Sequence, residues 1–172
     1  IFPIYFTSVC GGEDTAGMQW WGYGTSLATL IVAVLAPILG SLGDYKGMKK
    51  NFFTFFMLVG VLCTLIMAIF DNWQMLLLGY VLSYIGFAGS CLFYDSFLTD
   101  VTTGDRMDKV SAWGYAMGYI GGSTIPFVLA IIILFVMGME NPMAFKLVIL
   151  LTSVWWLVFS IPFLKNVHQV HY

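Results

Sequence analysis

Gly40-Ser41-Leu42-Gly43-Asp44-Tyr45-Lys46-Gly47-Met48-Lys49-Lys50 is a short basic turn between two long uncharged runs. Residues 15–43 before it and 51–70 after it contain no Asp, Glu, Lys or Arg. A helix needs about 20 mostly apolar residues to cross the hydrocarbon layer of a bilayer. Two such runs joined by a tight, positive loop describe a membrane hairpin. Gly40, Gly43 and Gly47 let the chain turn sharply, and Lys46, Lys49 and Lys50 face anionic headgroups. Asp44 lies at the membrane boundary, where a carboxylate can accept amide donors from a helix N-terminus or pair with a base.

Composition carries this reading along the whole chain. The 172 residues are 60% hydrophobic and 9% charged, with a mean hydropathy of +0.90. Soluble domains carry roughly 25% charged residues, so this chain has too little polar surface to cover itself in water. Membrane lipid is its solvent and first partner. The net charge of −2 comes with no basic face for nucleic acid. Cys10, Cys63 and Cys91 show no CxxC or Cys/His ligand spacing and read as small buried hydrophobes, so no metal and no cofactor is expected. The spans hold no pair of acids, no zinc spacing and no Ser/His combination, and the chain has no phosphate-binding loop, so no enzyme is expected. His168 and His171 fall in the tail and read as solvated.

The chain, 1–172, reads as one all-α polytopic membrane bundle with six transmembrane helices at about 1–9, 20–40, 52–70, 73–94, 110–137 and 143–164. The first is about half a span. It has no initiator Met, basic n-region or cleavage site, and is expected to be the truncated end of a helix that begins earlier. Alternating the loops puts Lys46, Lys49, Lys50, Arg106, Lys109 and Lys165 on one side, with Lys146 alone on the other beside Glu13, Asp14 and Asp71. The positive-inside rule then predicts a cytoplasmic 40–50 loop, 95–109 loop and C-terminus, in a bacterial inner membrane. Asp71 or Asn72 can cap the helix starting at Trp73, and Pro142 suits a first helical turn. Pro37 and Pro126 lie within spans, where each removes a backbone hydrogen bond and invites a kink.

Gly114, Gly118 and Gly122 repeat every four residues, with Gly121 beside them, and form a groove along the fifth span. Plain helix packing and a sliding surface along a pathway are both open to it. Tyr115, Tyr119, Ser123 and Thr124 lie on the same stretch, and Ser26 and Thr29 lie in the second span. Thr64, Ser83, Tyr84 and Ser90 are further intramembrane hydroxyls. Most such groups bond back to their own helix. Trp20, Trp21, Trp73, Trp155 and Trp156 read as interface anchors.

The 40–50 loop resembles the signature loop between the second and third helices of the major facilitator superfamily. Gly40, Leu42, Gly43, Asp44, Gly47, Lys49 and Lys50 carry the likeness. Tyr45 and Lys46 exchange the usual order of basic and free positions, and Met48 shifts the basic pair by one. A second likeness is to the UMF1, or Atg22-like, branch. It rests on Phe93-Tyr94-Asp95-Ser96-Phe97-Leu98, on Val110-Ser111 followed by Gly114-Tyr115-Ala116, on Gly118-Tyr119-Ile120-Gly121-Gly122, and on Phe2-Pro3-Ile4-Tyr5-Phe6. These resemblances imply the N-terminal six-helix half of a major facilitator permease, working by rocking two halves around a midplane site. Its partners would be a small-molecule substrate and a second six-helix half, in the same full-length chain or a second copy. The Atg22-like branch suggests efflux of amino acids or similar small solutes. The family's matching acid latches the halves together, so Asp44 is read as a latch, with a topology-setting turn as the plainer reading. Asp95, Asp100, Arg106 and Lys109 are candidate charge partners, their pairing open. The function expected is half of a secondary active transporter working by alternating access. The alternative is a non-transporting six-span scaffold or lipid-handling protein of the same fold.

Overall fold

A computed structural model describes residues 1–10 and 14–170; Glu13 and His171, named above, lie outside the described residues. All regular structure among them is helical: α1 (Phe2–Cys10), α2 (Asp14–Gly43), α3 (Met48–Ile69), α4 (Trp73–Ser96), α5 (Leu98–Val101), a 3₁₀ turn (Gly104–Arg106), α6 (Met107–Met117), a π-helical stretch (Gly118–Thr124), α7 (Ile125–Met137) and α8 (Pro142–Asn166). The 3₁₀ turn, α6, the π stretch and α7 run on as one rod of 34 residues. That rod, α2, α3, α8 and the continuous α4–α5 segment are the five helical runs long and apolar enough to cross a membrane. At nine residues, α1 is about half a span.

Local chemistry sets the helix ends. Asn72, rather than Asp71, caps α4, its side-chain oxygen accepting from the Gln74 amide at 2.9 Å. Asn141 does the same for α8 through Met143 at 3.0 Å, with Pro142 in the first turn where no amide donor is needed. The loop after α2 closes through Gly47, whose φ of 74° is in the left-handed region that a side chain disfavours.

The centre of the bundle is the α3–α4 crossing. A Cβ built on Gly86 would lie 2.5 Å from the Gly60 amide nitrogen and 2.7 Å from the Phe56 carbonyl oxygen. Gly79 and Gly89 give similar room to Met67 and Phe56. The Thr64 and Ser83 hydroxyls bond across this crossing at 2.7 Å. Helix α8 closes on the other side of α3: buried Ser153 donates to the Val61 carbonyl at 3.0 Å, and the Trp156 ring occupies the notch that Gly60 leaves. One apolar cluster gathers Tyr5, Phe6, Leu76 and Phe145, and a second gathers Phe53, Phe56, Met57 and Phe93.

Two expectations change, and the glycine groove of the rod meets no neighbour among the described residues. The close-approach glycines are those of α3 and α4, whereas a Cβ on Gly114, Gly118, Gly121 or Gly122 would meet nothing within 4 Å. No residue of α6 or of the π stretch is buried. Trp155 and Trp156 sit in the middle of α8 and turn toward neighbouring helices instead of anchoring its ends. Cys10, Cys63 and Cys91 are free thiols only partly buried.

Gly86→Ala in the full-length protein is expected to cost about 1–3 kcal/mol, because its methyl meets backbone that cannot step aside. Gly114→Ala meets no atom of the described residues and is expected to cost less than Gly86→Ala. Thermal unfolding in detergent checks this; equal midpoints for the two variants would reject the crossing as the packing centre.

Candidate functional site

The loop that decides the fold is also where buried charge collects. Lys49, in the first turn of α3, places Nζ 3.0 Å from Oδ2 of Asp100 on α5; the two side chains are 8% and 0% exposed. Lys49 Nζ also donates to the Ser96 carbonyl at 3.4 Å. The other Asp100 oxygen accepts the Val170 amide at 2.8 Å. Lys50 donates to the Val167 carbonyl at 3.1 Å, and Gln169 Nε2 donates to the Gly43 and Tyr45 carbonyls at 3.3 Å each. Gly43 is buried against the Phe93 ring, where a Cβ would lie 3.0 Å from it. The segment after α8 is thus strapped across the end of α2, the start of α3 and α5. A charge taken out of water is tolerated only when paired and bonded, and Asp100 supplies both needs for Lys49.

Asp100 thus pairs with Lys49 of the loop and not with Arg106 or Lys109, the bases expected for it. Asp44, Lys46, Arg106 and Lys109 are exposed. Among the described residues, Asp44, Arg106 and Lys109 form no ion pair or hydrogen bond through their side chains. Asp95 is exposed at the mouth of an apolar crevice of about 320 Å³ between α2 and α4. At the other end of the bundle, Lys146 pairs with Asp71 at 2.6 Å.

The candidate pathway residues fall on faces this chain does not cover. Ser26 and Thr29 are exposed on α2, and Tyr115, Tyr119, Ser123 and Thr124 are exposed on the rod. Thr29 bonds back to the Thr25 carbonyl at 2.8 Å, and Thr124 to the Tyr119 carbonyl at 2.9 Å. Gly122 and Ser123 edge a cavity of about 390 Å³ that Tyr5, Thr64, Ser83 and Thr152 also line. The Tyr5 hydroxyl is buried without a hydrogen-bond partner. The lining mixes hydroxyl and aromatic side chains with apolar ones such as Met67, Ala130, Val148 and Ile149, and among the described residues it includes no Asp, Glu, Lys, Arg or His. It can bond uncharged donors and acceptors, and it holds no carboxylate or imidazole to carry a proton. Among the described residues, no three His, Cys, Asp or Glu side chains come together. The sequence reading missed Ser153 and the inward turn of Trp155. Both are cross-helix donors, and nothing in local spacing distinguishes them from hydroxyls and indoles that face lipid.

Asp100→Asn leaves the Lys49 ammonium buried beside an amide, at an expected cost of about 3–5 kcal/mol. Lys49→Met combined with Asp100→Leu removes both charges and is expected to recover most of that loss. Unfolding midpoints of the full-length variants in detergent decide it; a double variant as unstable as Asp100→Asn would show that charge balance is not what the pair contributes.

A family model described as "Vacuole effluxer Atg22 like" matches residues 19–107 and 99–171. The chain is also 41% identical over its whole length to an uncharacterized MFS-type transporter, YxiO, of Bacillus subtilis (strain 168). It spans 42% of that relative's length. No solved structure matches it. The family match takes in the 40–50 loop, the Lys49–Asp100 pair and the glycine-rich rod alike. The chain is an integral membrane protein that belongs to the Atg22-like family of the major facilitator superfamily.

Proposed function

We propose that this chain is the N-terminal half of a secondary active transporter that moves a small solute by alternating access, its 40–50 loop and C-terminal end facing the cytoplasm of a bacterium. The observation that carries the reading is the uneven packing of the bundle. Helices α3, α4 and α8 are closely joined, while α6 and the π stretch have no buried residue. In a family of transporters, and beside a relative more than twice as long, such a bare face suits a second six-helix half. The description of the family as an effluxer, with the hydroxyls that Tyr5, Thr64, Ser83, Ser123 and Thr152 bring to the larger cavity, favours export of amino acids or similar small solutes.

On this reading the loop has two jobs. Gly43, Lys49 and Lys50 are bonded inside the half and fix its shape. Asp44, exposed and unbonded among the described residues, is presented to the other half as the latch. A latch acts through the difference in energy between two conformations, so removing its charge changes their exchange more than it changes solute affinity.

Full-length protein in proteoliposomes, screened with radiolabelled amino acids, is the test. Asp44→Asn is expected to slow transport at least about tenfold, the factor lost with roughly 1.4 kcal/mol of bias between conformations, while leaving solute binding by thermal shift and membrane insertion intact. Normal turnover in Asp44→Asn rejects the latch. No transport or binding of any screened solute by the intact protein would favour the scaffold reading instead.

A further inference from the structure

Proline has no amide hydrogen, so Pro126 leaves one carbonyl in the preceding turn without a backbone donor. Helical register decides which one. In an α-helical register the amide at 126 would serve Gly122, four residues back; in a π register it would serve Gly121, five back. The rod adopts the second: Gly118–Thr124 is π-helical, and the Ile125 amide bonds the Ile120 carbonyl. In that register the amide that Gly121 would receive is the one Pro126 lacks. The Trp155 indole N–H of α8 donates to the Gly121 carbonyl at 2.9 Å. In hydrocarbon no water can take that place, and such a carbonyl must find a donor from a neighbour.

We propose that Trp155 is a register lock, holding Gly118–Thr124 in its π form and switching the rod's rotation when it lets go. In the α form, the Ile125 amide returns to Gly121, the indole is released, and Gly122 becomes the carbonyl without a donor. Everything N-terminal to the π stretch then turns by about one residue, roughly 100° about the axis. The described part of the protein leaves room for this turn. No residue of α6 or of the π stretch is buried, and a Cβ on Gly114, Gly118, Gly121 or Gly122 would meet nothing within 4 Å. Gly118, Gly121 and Gly122 also lower the backbone cost of changing register. Tyr115 and Tyr119, now exposed, are the large side chains whose direction changes. The inference stands on this hydrogen-bond geometry and does not require the transport reading.

The test uses full-length protein in lipid vesicles, with Cys10, Cys63 and Cys91 replaced by Ala and one cysteine placed in turn at each position from 112 to 119. Maleimide labelling rates give the rotational profile of α6. Trp155→Phe keeps the ring and removes the donor, and is expected to shift the profile by one position. Pro126→Ala supplies an amide for either register, so in that background Trp155→Phe is expected to add no shift. It is also expected to restore membrane insertion if loss of the indole alone prevents it. An unshifted profile in Trp155→Phe overturns the proposal. So does the same added shift in the Pro126→Ala background, or a failure to insert that Pro126→Ala does not relieve.

Discussion

The absent side chain of Gly86 sets the architecture. Where α4 crosses α3 the backbones come so close that a methyl on Gly86 would sit 2.5 Å from the Gly60 amide nitrogen. In water, two helices would be held by removing apolar surface from solvent. In lipid that gain is missing, since the tails are as apolar as the side chains, and close packing with interhelical hydrogen bonds must serve. The crossing provides both, with the Thr64–Ser83 bond beside it. Because Gly60 is bare, the Trp156 ring can enter from α8, and Ser153 can reach the Val61 carbonyl. The arrangement of α3, α4 and α8 follows from that one contact.

The features legible in the sequence were those set by local chemistry or by the solvent. Uncharged runs long enough to span, the basic turn between them, and first-turn residues such as Pro142 need no knowledge of a partner helix. The glycines show where such reading stops. Gly114, Gly118 and Gly122 repeat every four residues and face open space, whereas Gly60, Gly79, Gly86 and Gly89 make the close contacts. Small-residue spacing says that a helix can be approached; only the tertiary arrangement says whether it is. The same holds for Trp155, whose indole N–H meets the Gly121 carbonyl in the π stretch before Pro126, a contact visible only in the tertiary arrangement. The sequence flagged both residues and could not join them.

The charged end of the bundle was half legible for a related reason. Alternating the loops gathers Lys46, Lys49, Lys50, Arg106, Lys109 and Asp100 at one end, but many pairings satisfy that count. The buried pair is Lys49 with Asp100, because the first turn of α3 and the short α5 are brought together by the crossing above them. Arg106 and Lys109 lie beyond α5, at the foot of a rod that the bundle does not enclose, and remain exposed.

On the proposed reading of the chain as one rocking half, that division bears on how it moves. A body that rocks must keep its own shape, and the strap of Val167, Gln169 and Val170 over Gly43, Lys50 and Asp100 ties the end where α2, α3, α5 and α8 meet. A contact that must be made and broken cannot use groups already committed inside the body, because releasing one would leave its partner charge buried and unpaired. In the 40–50 loop, Lys49 is committed and Asp44 is not. In that loop Gly43, Lys49 and Lys50 turn inward, and the carboxylate between them is left outside, as the proposed latch requires. A side chain that costs nothing to release within its own half is the one best placed to meet another.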